Sequence, residues 1–234
     1  MKHRSVGIIA RVVGAVALTM TVALPALARP VFAIITVPVG AKAPAGLQAK
    51  IAAAREAGTV TNSLWIDSTQ AKDAGFASLA TLEFPNEGSY AAWTKQNAVT
   101  APVTLKRAEL LTHGDNRPRD SSKSVFKVNH YLLKVDNAKY QDFADGYIAP
   151  LMEGQRDAGL LASYAMYSEV GAVGKSQALL IAEYPNQATF DRTTPIKDAL
   201  RTTLLKKHPE YAKYDPIKDS LRDSVSETLA GLGK

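Results

Sequence analysis

The chain contains no cysteine, which excludes disulfide bonds, thiolate metal ligands and cysteine nucleophiles. Its 4 histidines, at positions 3, 113, 130 and 208, are too scattered to form a zinc motif. The sequence also lacks a glycine-rich phosphate loop, a dinucleotide-binding fingerprint and a Gly-x-Ser-x-Gly nucleophile motif. These absences exclude the enzyme classes with the clearest sequence signatures, and we predict no metal site.

Basic residues are in only slight excess outside the N-terminus. Residues 1–28 hold three basic side chains and no acidic one, so the remainder has 25 basic and 22 acidic residues, a formal charge of +3. Without a basic stripe or a stacking platform, this excess does not predict nucleic-acid binding. Hydrophobic residues make up 46% of the chain, which is enough for a packed core.

A long apolar run, residues 12–27, follows a short basic head and ends in Ala26-Leu27-Ala28. This order is typical of a cleavable secretory signal peptide, and we predict cleavage after Ala28. The alternative is an uncleaved membrane anchor, for which about 16 apolar residues are marginal. We therefore expect a periplasmic or secreted protein that has no membrane segment after cleavage.

Two stretches of the chain resemble each other. Arg55-Glu56-Ala57-Gly58 precedes Glu83-Phe84-Pro85-Asn86, and Arg156-Asp157-Ala158-Gly159 precedes Glu183-Tyr184-Pro185-Asn186. The Arg-to-Glu spacing is 28 positions in the first pair and 27 in the second. A repeat of about 100 residues is too long for a solenoid unit, so it predicts a duplicated small domain.

Hydrophobic periodicity predicts the order strand, helix, strand, strand, helix, strand in each half. We assign residues 29–112 to the first unit, 113–124 to a polar linker and 125–234 to the second unit, with a helical insertion near 196–215. The prediction is an α+β fold made of two tandem ferredoxin-like units. Each unit leaves one apolar sheet face uncovered, and these faces are best buried against each other in a barrel-like pair.

Two details of the second unit follow from single residues. Asp136 is predicted to cap a helix, in which Gly146 and Pro150 predict a kink or a break. Residues 217–230 are ambiguous, since their apolar spacing suits a helix while the duplication requires a last strand.

This arrangement resembles the dimeric α+β barrel superfamily, here as a tandem duplication in one chain. The similar motif is the strand-to-helix corner Leu82-Glu83-Phe84-Pro85-Asn86, followed by Tyr90-Ala91-Ala92-Trp93. The superfamily includes the antibiotic-biosynthesis monooxygenase-like, NIPSNAP and EthD-like families and the haem-binding chlorite dismutase-like enzymes. The resemblance implies a pocket between sheet and helices. By analogy it would allow haem ligation by His113 or His130, although we expect no cofactor.

Comparison of the halves singles out one strand. When their first strands are aligned, Asn129, His130 and Tyr131 stand opposite the largely apolar stretch 35–37. A buried polar cluster is costly unless it is hydrogen bonded, so this difference predicts a ligand-binding site. The alternative is that alternate side chains point outward and His130 meets only a backbone carbonyl. The expected neighbours of the cluster are Tyr147, Tyr164, Met166 and Tyr167.

Glu83 and Glu183 occupy matching positions in two predicted strands. If they act in catalysis, they are general acid or base carboxylates, and His130 and Glu183 are then the candidate catalytic residues. The alternative is that each pairs with the arginine of its own half, Arg55 or Arg156. Because arginine and glutamate recur together, we favour structural ion pairs.

Two functions stay open, and the sequence does not decide whether the protein is an enzyme. The first is an exported protein that binds or transforms a small apolar or aromatic ligand without a metal. The second is a non-catalytic structural or interaction protein of the cell envelope with a filled barrel. An enclosed pocket of several hundred cubic ångströms lined by His130 would favour the first. Because both units lie on one chain, we predict a monomer.

Overall fold

Eight strands and eight α-helices form the described part of the chain, which is residues 29–70, 73–115, 121–169 and 176–233 of a computed structural model. The strands are β1 (Val31–Val37), β2 (Asn62–Ser68), β3 (Ser78–Phe84), β4 (Thr104–Asp115), β5 (Val125–Leu133), β6 (Ser163–Glu169), β7 (Gln177–Tyr184) and β8 (Arg222–Leu232). The helices are α1 (Leu47–Glu56), α2 (Glu87–Gln96), α3 (Asn137–Phe143), α4 (Ala149–Asp157), α5 (Gln187–Asp191), α6 (Thr193–Lys207), α7 (Pro209–Tyr214) and α8 (Lys218–Leu221). The fold is therefore α+β, as predicted.

The strands form one closed antiparallel barrel. Neighbours follow the order β1-β3-β2-β8-β5-β7-β6-β4, and β4 pairs with β1 to complete the ring. Strands β1 to β4 make one side of the barrel, and strands β5 to β8 make the other. The pairs β2–β8 and β4–β6 join the two sides. The predicted barrel thus closes within a single chain, and closure gives each of these strands two partners.

Alternate side chains of each strand face the helices or the barrel interior, as the two-residue period of a strand requires. In β1, Ala33 and Ile35 pack against α1 and α2. Ile34 instead packs inside the barrel, with Phe126 and Leu179 from the other side. The interior is thus an apolar core that both sides share.

Local signals place the helix starts. Asn86 and Asn186 lie at corresponding strand-to-helix corners, and each side chain accepts a backbone hydrogen bond of 2.9 Å from the residue three positions on. Asp136 caps α3 in the same way at 2.8 Å, as predicted. The irregularity predicted at Gly146 and Pro150 is a π-helical turn, Ala144–Ile148, with Pro150 at the start of α4.

Residues 196–215 are helical and belong mostly to α6 and α7, which pack on the second half. Tyr211 of α7 stacks on Tyr147 of the π-helical turn, with ring centroids 4.4 Å apart. Gly146 makes room for Tyr214, because a Cβ at this position would approach the Tyr214 Cε2 atom to 2.7 Å. These helices therefore cover an aromatic layer outside the barrel.

One boundary differs from the sequence prediction, and one stretch that the sequence left ambiguous is resolved. Residues 113–115, assigned to the linker, continue β4, where they pair with residues 163–165 of β6. In the ambiguous stretch 217–230, α8 ends at Leu221 and β8 then runs between β5 and β2. The last strand agrees with the alternative that the duplication required. Local periodicity does not define either boundary, because the strands are stabilised by partners that are distant in sequence.

Two predictions fall outside the described residues, namely the signal peptide (1–28) and the middle of the linker (116–120). Within the described residues, none of the helices has both the length and the apolar character that spanning a membrane requires.

Candidate functional site

A cavity of about 1040 Å³ opens at one mouth of the barrel. Phe32, Leu64, Phe126 and Ile181 form its apolar wall, with contributions from both sides of the barrel. Its charged and polar lining comes from residues near strand or helix ends: Arg55, Asn62, Glu83, His113, Asp115, Ser163 and Glu183. The resemblance implied a pocket between sheet and helices, but this cavity lies inside the barrel. The layer between sheet and helices is packed with large side chains.

Glu83 and Glu183 occupy corresponding places in the two sides of the barrel. Glu83 of β3 is paired with Asn62 of β2, and Glu183 of β7 is paired with Ser163 of β6. Both glutamates line the cavity. The repeated sequence positions therefore contribute to one site rather than to two separate ones.

Glu183 is held firmly in place. Its residue is only 5% exposed. Its Oε1 atom accepts a hydrogen bond of 2.7 Å from the Ser124 hydroxyl, and its Oε2 atom accepts one of 2.7 Å from the Ser163 hydroxyl. Hydrogen bonds to a charged acceptor are strong, so both serines fix the carboxylate orientation.

Glu83 is partly exposed and has different surroundings. The positions that match Ser124 and Ser163 are occupied by Pro30 and Asn62. Proline carries no hydroxyl. Within the described ranges, no side chain donates a hydrogen bond to the Glu83 carboxylate or forms a salt bridge with it. The Glu183 carboxylate thus already accepts two side-chain hydrogen bonds, whereas the Glu83 carboxylate accepts none from the described residues.

The arginines of the repeat are placed differently from the prediction. Arg55 lines the cavity with Glu83, but no salt bridge joins these two described residues, so the first predicted ion pair is absent. Arg156 donates from its Nε atom to Glu153 Oε2 at 2.8 Å. Ala52 occupies the corresponding place on α1, so Arg55 has no matching helical partner. The pairing of Arg156 with Glu183 stays a prediction.

Tyr167 connects the second side of the barrel to Glu83. Its ring reaches Phe32 of β1, with ring centroids 5.8 Å apart. Burial raises the pKa of Tyr167 to about 12; a hydrogen bond with Thr81 opposes this shift and the charge of Glu83 adds to it. The Tyr167 hydroxyl therefore stays protonated at neutral pH, close to Thr81 and Glu83 at the cavity wall.

The predicted cluster at 129–131 does not form one site. His130 faces the barrel interior, where its Nε2 atom lies 3.1 Å from Gln177 Oε1. Tyr131 faces the helices and packs on the core of the second half, and Asn129 lies on the same face of the strand. None of the three lines the cavity. Strand alternation turns Asn129 and Tyr131 away from the barrel interior, and His130 lies at the opposite end of the interior, with Gln177.

His130 belongs to a second polar group inside the barrel, and the apolar core separates this group from the cavity. Lys106 Nζ lies 2.5 Å from Glu169 Oε2 and 3.1 Å from Gln177 Oε1. Burial lowers the pKa of His130; Glu169 and the hydrogen bond with Gln177 oppose this shift, and Lys106 adds to it. His130 therefore acts as a neutral member of a side-chain network.

The other predicted neighbours are divided between the cavity and the outer core. Tyr167 and Tyr164 line the cavity, whereas Tyr147 and Met166 lie in the core between sheet and helices. Sequence reasoning missed Thr81, Phe32 and Asp115 as cavity residues. Thr81 lies two positions before the repeated Glu83 and therefore on the same face of the strand, so the sequence pattern could have identified it as a cavity residue.

The described residues contain no group of three or more histidine, aspartate or glutamate side chains placed to bind a metal. Of the two histidines considered for haem, His113 lines the cavity and His130 contacts Gln177.

No family model matches the chain, and no curated protein is found to be similar. Its structure aligns with a protein proposed to be a monooxygenase from Lactobacillus acidophilus NCFM, with a TM-score of 0.51, 14% identity, and coverage of 87% of this chain and 93% of that one. Another alignment, to a protein proposed to be a monooxygenase from Fusobacterium nucleatum, has a TM-score of 0.47 and 10% identity and covers 88% and 92%. A haem-degrading enzyme from Listeria monocytogenes aligns with a TM-score of 0.41 and 11% identity, over 88% and 100%.

At such identities a likeness concerns the fold alone. The first alignment agrees with the closed eight-stranded barrel described above. The chain therefore shares its fold with that protein, and the predicted α+β barrel is confirmed.

Proposed function

We propose that this protein is an exported α+β barrel protein whose barrel cavity binds or transforms a small aromatic or apolar molecule, without a metal or haem. The observation that carries the proposal is the cavity of about 1040 Å³ with an aromatic wall, which is lined by His113 and not by His130 as expected. Small-molecule sites have volumes of about 300–1,000 Å³ and are mostly apolar with a few placed polar groups. A structural protein with a filled barrel would not need such a space.

Two finer features belong to the same proposal. We take the halves to be duplicated ferredoxin-like units, since the two sides follow the equivalent orders β4-β1-β3-β2 and β8-β5-β7-β6. The equivalent caps at Asn86 and Asn186 support this view. We also take the protein to be a monomer, because one chain supplies all eight strands of the barrel.

Blocking the cavity should abolish binding of an aromatic probe. Ala165 of β6 lines the cavity and packs on the barrel core. In Ala165→Phe, the added ring occupies the ligand space, and the affinity for N-phenyl-1-naphthylamine should fall by about tenfold or more. The measurement is a fluorescence titration of the purified mature protein.

The matched control is Ala92→Phe, which adds the same ring at an exposed position of α2. This variant should bind the probe like the wild type, and thermal unfolding should show that both variants are folded. Unchanged binding by Ala165→Phe, or no binding by the wild type, would contradict the proposed cavity function.

Export makes a separate prediction. When the full sequence is expressed in a bacterium and the periplasm is extracted, the intact mass should correspond to a chain that begins at Arg29. The same result is expected from N-terminal sequencing. A cytoplasmic protein that retains residues 1–28 would contradict export.

A further inference from the structure

We infer that Glu83 binds the polar end of the ligand, and that this polar end is a hydroxyl on an aromatic ring. The inference rests on the proposed function, because it assigns a role within the same cavity. It is carried by the difference between two carboxylates that occupy matching positions in the barrel.

The first step concerns Glu183, whose hydrogen bonds are made within the protein. It is buried, and each of its carboxylate oxygens accepts a hydrogen bond of 2.7 Å from a serine hydroxyl, Ser124 on one side and Ser163 on the other. A carboxylate that is fixed in this way has less acceptor capacity left for a ligand.

The second step concerns Glu83, whose carboxylate lacks the two serine partners that Glu183 has. Pro30 and Asn62 take their places, and the described part of the chain supplies no other side-chain donor or salt bridge to this carboxylate. Glu83 nevertheless lines the cavity. An ionised carboxylate is a strong acceptor and carries no proton to donate, so it favours a ligand that brings a donor.

The third step concerns the surroundings of Glu83, which favour an aromatic ligand. Phe32 is the cross-strand partner of Glu83 in β1, and the ring of Tyr167 lies against Phe32. Phe126 lines the cavity from the other side. Aromatic rings prefer tilted or offset contacts with one another, so a ring that enters here finds suitable faces and edges. Its hydroxyl then donates to Glu83.

The charge of the site selects against anionic ligands. Among the described residues that line the cavity, Glu83 carries a carboxylate that forms no salt bridge with another described residue. A carboxylate of the ligand placed beside Glu83 would be repelled by this charge. A neutral aromatic hydroxyl avoids this repulsion and satisfies the acceptor. The ligand class is therefore a small phenol or naphthol rather than an aromatic acid.

Two matched probes test the inference by fluorescence titration of the mature protein. 2-Naphthol carries the donor hydroxyl, and 2-methoxynaphthalene has the same ring system without the donor. The wild type should bind 2-naphthol about tenfold more tightly, as expected for one charge-assisted hydrogen bond. Glu83→Gln and Glu83→Ala should lose most of this preference while still binding 2-methoxynaphthalene. Glu109→Gln, at an exposed position of β4, should retain it.

A spectroscopic readout reports the contact directly. Excited 2-naphthol is a strong acid, so its O–H bond breaks and the proton moves to a hydrogen-bonded carboxylate oxygen, leaving the naphtholate and neutral Glu83. The bound probe should show naphtholate emission at neutral pH in the wild type. In Glu83→Gln the emission should shift toward that of neutral naphthol.

The outcomes of these titrations distinguish a failure of the proposed function from a failure of the role assigned to Glu83. If the wild type binds neither probe, the proposed function fails, and the role of Glu83 fails with it. If the wild type binds both probes equally, the cavity binds aromatic molecules but Glu83 does not select a hydroxyl. If Glu83→Gln keeps the preference and the naphtholate emission, another group receives the hydroxyl, and the inference is overturned.

Discussion

Replacing Tyr211 with alanine should lower the free energy of unfolding by about 3–5 kcal/mol, the cost of removing a large buried aromatic side chain. Tyr211 is fully buried and its ring stacks on Tyr147. Tyr147 in turn stacks on Phe143, with centroids 5.1 Å apart. The substitution therefore opens a cavity in a continuous aromatic layer between α7 and the second half of the barrel. Urea unfolding followed by circular dichroism measures the effect.

The matched control is Tyr90→Ala on α2 of the first half. Tyr90 is only half-buried and makes an edge contact with Phe84, at a centroid distance of 5.4 Å. Removing the Tyr90 ring should lower the free energy of unfolding by about 1–2 kcal/mol, because this ring buries less apolar surface than the ring of Tyr211 does. If Tyr211→Ala cost no more than this control, the helices of residues 196–215 would not stabilise the second half.

Replacing Glu183 with alanine should lower the free energy of unfolding by about 2–4 kcal/mol. The substitution leaves the hydroxyls of Ser124 and Ser163 without their carboxylate acceptor, and Ser124 is itself buried. Leaving a buried donor unsatisfied costs about 1–3 kcal/mol. Chemical denaturation at neutral pH measures the loss.

Glu83→Ala is the matched comparison, since Glu83 has the same position in the other side of the barrel. Its carboxylate accepts no side-chain hydrogen bond from the described residues, so the expected cost is within about 0.5 kcal/mol. Equal losses for the two alanine variants would mean that Glu83 stabilises the fold as much as Glu183 does. The assignment of Glu83 to ligand binding would then lose its main support.

The contrast between these glutamates shows which of their properties the sequence predicts. The repeat identifies Glu83 and Glu183 as equivalent, and the barrel brings both to one cavity. Pairing with Arg55 and Arg156 is the simplest interpretation of their joint recurrence. The structure shows no salt bridge between the described residues Arg55 and Glu83, and it places Glu153 beside Arg156 and two serines beside Glu183. Recurrence in sequence thus indicates a shared position, and the surrounding strands decide the partners.

The sequence by itself determines the local elements of this protein. Strand alternation, the asparagine corners and the cap at Asp136 depend on residues within one or two turns of each other, so they are visible in the linear pattern. The order of these elements also predicts the α+β barrel, because one apolar face of each sheet needs a cover.

Only the tertiary structure decides which side chains meet. His130 contacts Gln177, 47 positions away, and lies outside the cavity, whereas Tyr167 of β6, the next strand along the chain, helps to line it. Ser124 reaches Glu183 across 59 positions. These contacts depend on strand register and on which face of a strand points inward, and a shift of one residue would reverse that face. Periodicity fixes the two faces of a strand, but pairing between distant strands determines what each face contacts.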